Sequence, residues 1–455
     1  MAANPTPTSG GRSSERGARD DVHVPFVYAA LAAGVCGGFA LALTLPLEAL
    51  LVGISASWAT HAQVHGHLQV MGFAALFVLG VAGQLVPRFG SGRALHPIAI
   101  TAAFWCLVAG LLARVIGQPL AAHEGFAWIM IGGALLQVIG AACFAGAVLA
   151  VLGPALRSGA PHALQISAGA LWLVVQAAYG LAWLTPLAAE GGTILRADRN
   201  GALLTMQFFG FLLGVFSGVG LRAFPTLFGM PQPSRRLGIA ASALVQTGLA
   251  VWVAAGLGLG ASLAGRIATL GQAAVGVGVL LLVSSFGFWR RETRFAAASQ
   301  PLSWALRGAL LSLALTGALL LATGLDAFAR NTAVTAAAAD ATRHVFGLGT
   351  ITLGIVGMAQ LILPEFASER LVRPPGRWRG PAFAAALIAA MLLRGLVPLA
   401  PVTQEVRFAS MALGGTIAWV AVAVFAVLFI RARRTHVAYL RRTAAWRAGS
   451  LPVLE

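Results

Sequence analysis

The densest group of metal-ligating side chains in this chain is the stretch His-Ala-Gln-Val-His-Gly-His, which holds His61, His65 and His67. A neutral imidazole offers one nitrogen lone pair to a metal while the other ring nitrogen donates its proton elsewhere. On a helix, His61 and His65 stand four apart and share a face. His67 lies about 200° round from His65 and points elsewhere. The stretch therefore offers two ligand sets: His67 facing a bundle interior, and His61 with His65 at its mouth. His123, beside Glu124, is a further candidate. His23, His96, His162 and His436 sit at loops and helix ends and read as solvated background. Cys36, Cys106 and Cys143 occur in separate apolar segments, with no CxxC or CxxCH, which excludes a zinc ribbon and a covalent c-type haem site.

A weak internal repeat couples His67 to a distant residue. The segments from His67 to Phe89, Thr205 to Leu227 and His344 to Phe366 align without gaps on Pro87, Pro225 and Pro364. Glycines recur fifteen residues earlier (Gly72, Gly210, Gly349) and seven residues earlier (Gly80, Gly218, Gly357). His67, Thr205 and His344 stand twenty residues before the prolines, which at helical rise is about 30 Å, a full hydrocarbon thickness. A threefold bundle built on this repeat is expected to bring His67 and His344 together at matched depth. Two neutral imidazoles on opposite sides of an iron plane are what a b-type haem needs. Its carboxylates would call for cations, and Arg343, Arg114, Arg266 and Arg394 are candidates; snorkelling at the membrane interface is an equal reading for these arginines. His61 and His65 form a possible copper pair, short of a third ligand unless His123 supplies it.

These residues must be positioned by membrane helices. Of 455 residues 58% are hydrophobic and only 10% charged, with mean hydropathy +0.83. A soluble domain carries about 25% charged residues, so lipid is the solvent for most of the chain. The expectation is an all-α polytopic protein in three pseudo-repeated four-helix units, resembling the bundle of the haem–copper oxidases. Twelve spans are placed near 25–52, 64–87, 96–118, 125–152, 162–188, 201–225, 237–258, 264–289, 302–324, 341–363, 380–400 and 406–431, with repeats at about 25–157, 158–300 and 301–431. All 31 basic residues are arginine, and the net charge of +17 lies mainly in the loops after even-numbered helices and in the C-terminal tail. That is a topology signal placing both termini in the cytoplasm of a bacterial inner membrane, and it argues against nucleic-acid binding. Residues 1–24 read as a disordered lead. Residues 432–455 read as a basic tail, either a helix on the inner leaflet or a disordered stop-transfer segment.

At His65-Gly66-His67, followed by Gly72-Phe73, Ala74-Ala75, Gly80 and Val86-Pro87, the sequence resembles the NnrS family of bacterial membrane proteins, described as binding haem and copper and linked to the nitric oxide response. Gly220-Leu221-Arg222-Ala223-Phe224-Pro225 is similar to that family's G-R-x-x-P segment. Arg343-His344 with Gly349 is similar to its R-H-A-x-x-x-G helix. Leu68 and Gln69 stand where the family has Glu and Met, and Leu363-Pro364-Glu365 replaces a late His-containing ending. The resemblance implies a haem protein serving nitric oxide response or nitrosative stress protection, with copper in more doubt. A more distant resemblance is to haem–copper oxidase subunit I, whose low-spin haem is held by His on helices 2 and 10. Helices 6 and 7 here have no His, so an oxygen-reducing centre is excluded. Two other classes stay open. A transporter would use polar residues such as Glu48, Arg222 and Gln360. A quinol or nitric oxide oxidoreductase would need a second metal site. Substrate, redox partner and oligomeric state are not legible.

Overall fold

The computed structural model describes residues 23–90, 92–123, 125–256, 261–287, 302–366 and 379–447. The lead expected to be disordered and the last residues of the tail lie outside them, except that the first helix already starts at His23. Among the described residues, twelve helices are long and apolar enough to cross a membrane. They are α1 (His23–Leu51), α2 (Trp58–Phe89), α3 (Pro97–Gly117), α4 (Phe126–Arg157), α5 (Pro161–Ala189), α6 (Ala197–Phe228), α7 (Arg235–Gly256), α8 (Ala261–Phe286), α9 (Ser303–Arg330), α10 (Ala336–Leu363), α11 (Arg379–Leu399) and α12 (Gln404–Arg447). Pro at the first turn starts α3 and α5, where the missing N–H has no partner to lose. Asn331, in the left-handed conformation, ends α9, and the Thr335 hydroxyl accepts from the Ala338 N–H to start α10.

Three helices form the centre. In α2, α6 and α10 the most apolar windows are 72%, 83% and 72% buried, against 33–56% for the other nine. These three touch one another, and the others surround them in the order α1, α3, α4, α5, α7, α8, α9, α11, α12, with α12 packed back on α1 to close the ring. Burial follows from composition, because a helix that is apolar on all sides suits a core position.

The glycines found in sequence set how closely each central helix approaches its predecessor. A Cβ on Gly80 would lie 2.7 Å from Phe26 Cβ of α1, one on Gly218 2.5 Å from Ile166 Cγ1 of α5, and one on Gly357 2.6 Å from Ala305 Cβ of α9. No side chain fits at these contacts, so even alanine would push the helices apart.

Each central helix also contains a π-helical stretch: Leu68–Ala75, Met206–Leu212 and Val345–Thr352. Each begins on the residue after His67, Thr205 or His344. Within the third, the Thr352 hydroxyl donates to the Gly347 carbonyl five residues back at 2.8 Å. Wide turns of this kind recur at functional sites, and they break the 3.6-residue period on which facing is read from sequence.

Most helices run a few residues past their expected bounds, and two of these extensions matter for the site and the tail. α2 starts at Trp58, so His61 is helical. α12 runs on through the basic tail to Arg447, which decides for a helix over a disordered segment there.

Candidate functional site

A cavity of about 310 Å³ opens between α1, α2, α6, α10, α11 and α12, toward the end of the bundle where α2 and α10 begin. His65 and His344 both line it. Each stands two turns into its helix, roughly 10–12 Å from the helix start. Phe39, Phe73, Phe208, Leu212, Leu348 and Ile351 make the apolar part of the wall, and Asn200, Asp340, Arg343 and Arg394 the polar part. The volume falls at the low end of the range for ligand pockets, about 300–1,000 Å³.

Both imidazoles are held in the same way. His65 Nδ1 lies 2.8 Å from the Gly38 carbonyl of α1, and His344 Nδ1 lies 2.8 Å from the Asp340 carbonyl one turn earlier in α10. A carbonyl oxygen only accepts, so Nδ1 carries the proton in each ring. In the neutral ring the lone pair is then on Nε2, which has no hydrogen bond among the described residues. A backbone carbonyl fixing the remote ring nitrogen is the usual arrangement for a metal-bound histidine.

Asp340 organises the polar end. One carboxylate oxygen is 3.3 Å from His344 Nδ1, and the other accepts from Arg394 Nη1 at 2.7 Å. Arg343 lines the cavity and makes no hydrogen bond among the described residues. Two guanidiniums face one carboxylate, so the cavity carries an excess of positive charge suited to an anionic group. The wall is open at Gly66, where an added Cβ would meet only Leu204 Cδ2 at 3.8 Å.

His67 is not part of this cavity, which corrects the expected pairing of His67 with His344. It is 3% exposed and lies in the next cleft, among α3 and α4. Arg114 Nη1 donates to its Nδ1 at 3.3 Å, and the Gln137 amide is 2.7 Å from its Nε2. With Nδ1 accepting, the ring proton sits on Nε2 and the Gln137 amide turns its oxygen to receive it. Arg114 also donates from Nε to Gln118 at 3.1 Å; Gln118 bonds Gln63, and Gln63 the Leu195 backbone. Both nitrogens of His67 are used, and Arg114 is committed to this network rather than to the cavity.

His67 and His344, at matched offsets on α2 and α10, face different clefts and not each other. His344 faces the cleft beside α11 and α12, and His67 faces the one beside α3 and α4. The residue of α2 that meets His344 must lie on the opposite side of its helix, and two positions away, about 200° round, that residue is His65.

The remaining candidates are dispersed. Arg266 stacks over the Phe328 ring at 4.7 Å, far along the sequence from the cavity helices' polar ends. His61 and His123 do not line the cavity. Among the described residues no group of three or more His, Cys, Asp or Glu is placed to hold a metal ion, so the copper pair His61 and His65 gains no third ligand. Sequence reading missed Asp340, although its spacing of four from His344 was a readable signal. It also missed Asn200 and the glutamine network, for which no local pattern exists. No family model matches the chain, and no curated protein matches it.

Proposed function

We propose that this chain is a haem-binding membrane protein in which His65 and His344 are the axial ligands of one b-type haem. The reading rests on one observation: two histidines from different central helices line a single cavity, each fixed at Nδ1 by a backbone carbonyl and with no hydrogen bond at Nε2 among the described residues. The donor set fits the group. Neutral imidazoles suit iron, the wall between them is apolar, and Arg343 and Arg394 are placed to receive carboxylates. Bound haem would supply one-electron chemistry and an affinity for small gaseous ligands. The protein's part is to fix both imidazoles, neutralise the carboxylates and exclude water.

The NnrS-like motifs direct the reading to nitric oxide response in a bacterial inner membrane, with both termini cytoplasmic. If His65 and His344 both held the haem iron, nitric oxide would have to displace one of them, and its binding rate would level off as its concentration rises. The test is haem analysis of the purified chain followed by nitric oxide titration. About one b-type haem per chain with saturating binding kinetics is expected. A colourless protein from haem-replete cells would remove the assignment and favour a solute transporter. Two haems, or non-haem iron, would favour an oxidoreductase.

A further inference from the structure

The basic extension of α12 is not used by the haem cavity. α12 has 44 residues, about 66 Å at helical rise, against roughly 30 Å of hydrocarbon. Its uncharged run ends at Ile430 and is followed by Arg431, Arg433, Arg434, Arg441 and Arg442, with no acidic residue from Val406 to Leu454. The helix therefore leaves the membrane and carries a run of positive charge at headgroup level.

Two features make this more than a stop-transfer signal. First, Arg433, Arg434 and Arg441 border an open groove of about 490 Å³ together with Val437, Ala438 and Tyr28 of α1. Tyr28 is fixed by edge-on contact with Phe429, ring centroids 5.5 Å apart. A tyrosine at this level is a common interfacial anchor. Second, the helix carries one continuous stripe. Val420 and Val427 are each 47% exposed on the outside of the bundle, and Arg434 and Arg441 follow at the same seven-residue spacing. Seven residues are close to two turns, so the two valines and two arginines share a face.

We infer that this stripe binds an anionic phospholipid, its acyl chain along Val420 and Val427 and its phosphate in the groove against Arg434, Arg441 and Tyr28. The occupant is a lipid rather than free phosphate, because the basic groove is continuous with an apolar wall facing outward from the bundle. It is anionic rather than zwitterionic because the residues that line the groove are basic or uncharged, with no carboxylate among them to meet a choline or ammonium group.

The test uses the full chain in nanodiscs of phosphatidylcholine with phosphatidylglycerol at one part in five, extracted gently and examined by native mass spectrometry. Wild type is expected to retain phosphatidylglycerol in preference to phosphatidylcholine. R434Q/R441Q is expected to lose that preference by about 25-fold, at roughly fivefold per arginine. R235Q/R236Q, an equal charge change on another helix, is expected to leave it intact. Equal retention of both lipids, an unchanged preference in R434Q/R441Q, an equal loss in R235Q/R236Q, or displacement by millimolar inorganic phosphate would each overturn the inference. Haem content, unchanged in either variant, separates a failure here from a failure of the haem assignment.

Discussion

The two clefts that flank α2 use histidines two residues apart in opposite ways. On one side, His67 is enclosed with Arg114, Gln137 and Gln118, and each ring nitrogen has a partner. On the other, His65 gives one nitrogen to a backbone carbonyl, has no hydrogen bond at the other among the described residues, and lines a cavity shared with His344. The filled cleft holds the bundle together and the open one is built to receive a ligand. A histidine cluster in a membrane helix is therefore not one site, and the partners of each ring nitrogen tell which imidazole is free to ligate.

The contrast is sharpest in stability. Arg114 is 2% exposed and its hydrogen-bond partners among the described residues, His67 and Gln118, are neutral side chains. Removing His67 withdraws a hydrogen bond from a buried cation, so His67→Ala is expected to cost about 1.5–3 kcal/mol in thermal unfolding of the detergent-solubilised protein. Arg114→Leu added to His67→Leu should recover a large part of that loss, because the stranded charge goes with its partner. Additive losses in the pair would show that the cleft is not a coupled network.

In the open cleft the same type of change costs less. His344→Ala and His65→Ala each give up one hydrogen bond to a carbonyl beside a cavity, about 1 kcal/mol in the ligand-free protein. Their effect should appear in haem content instead. A ligand-free H344A as unstable as H67A would mean that the two clefts do not differ in kind.

Steric filling gives a smaller effect on folding. Gly66→Val projects into open space, so unfolding should shift by no more than about 1 kcal/mol, while haem uptake falls. Gly218→Val is the counterpart at a closed contact and should not fold normally, since its Cβ meets Ile166 at 2.5 Å. The smallest effect on stability is expected for Arg343→Gln, which loses no hydrogen bond among the described residues. It should only speed haem release, about tenfold for one charge-assisted bond. An unchanged release rate would take Arg343 out of the site.

Much of this was legible in the sequence, for identifiable reasons. Twelve spans follow from hydropathy because lipid leaves no alternative to helices. The glycine columns at Gly80, Gly218 and Gly357 were visible as a repeat, and in the structure they are the contacts where no side chain fits. His344, Arg343 and Arg394 line the cavity, as expected for a binding site at that end. The partner on α2 was misread because matched offset along a helix gives depth and not direction. Depth is a linear count of residues. Direction depends on which neighbour occupies each cleft, and the π-helical turns after His67 and His344 break the period by which it would be projected. Gln137, Gln118 and Gln63 were invisible because a buried amide network is assembled from three helices and has no signature on any one of them.

The most direct test compares the reduced-minus-oxidised optical spectra of wild type, H65A, H344A and H67A, each purified under the same conditions and normalised to folded protein. The account predicts sharp low-spin b-type bands in wild type, their loss in both H65A and H344A, and their retention in whatever fraction of H67A folds. Bands that survive in H65A but vanish from folded H67A would contradict it and return the axial role to His67.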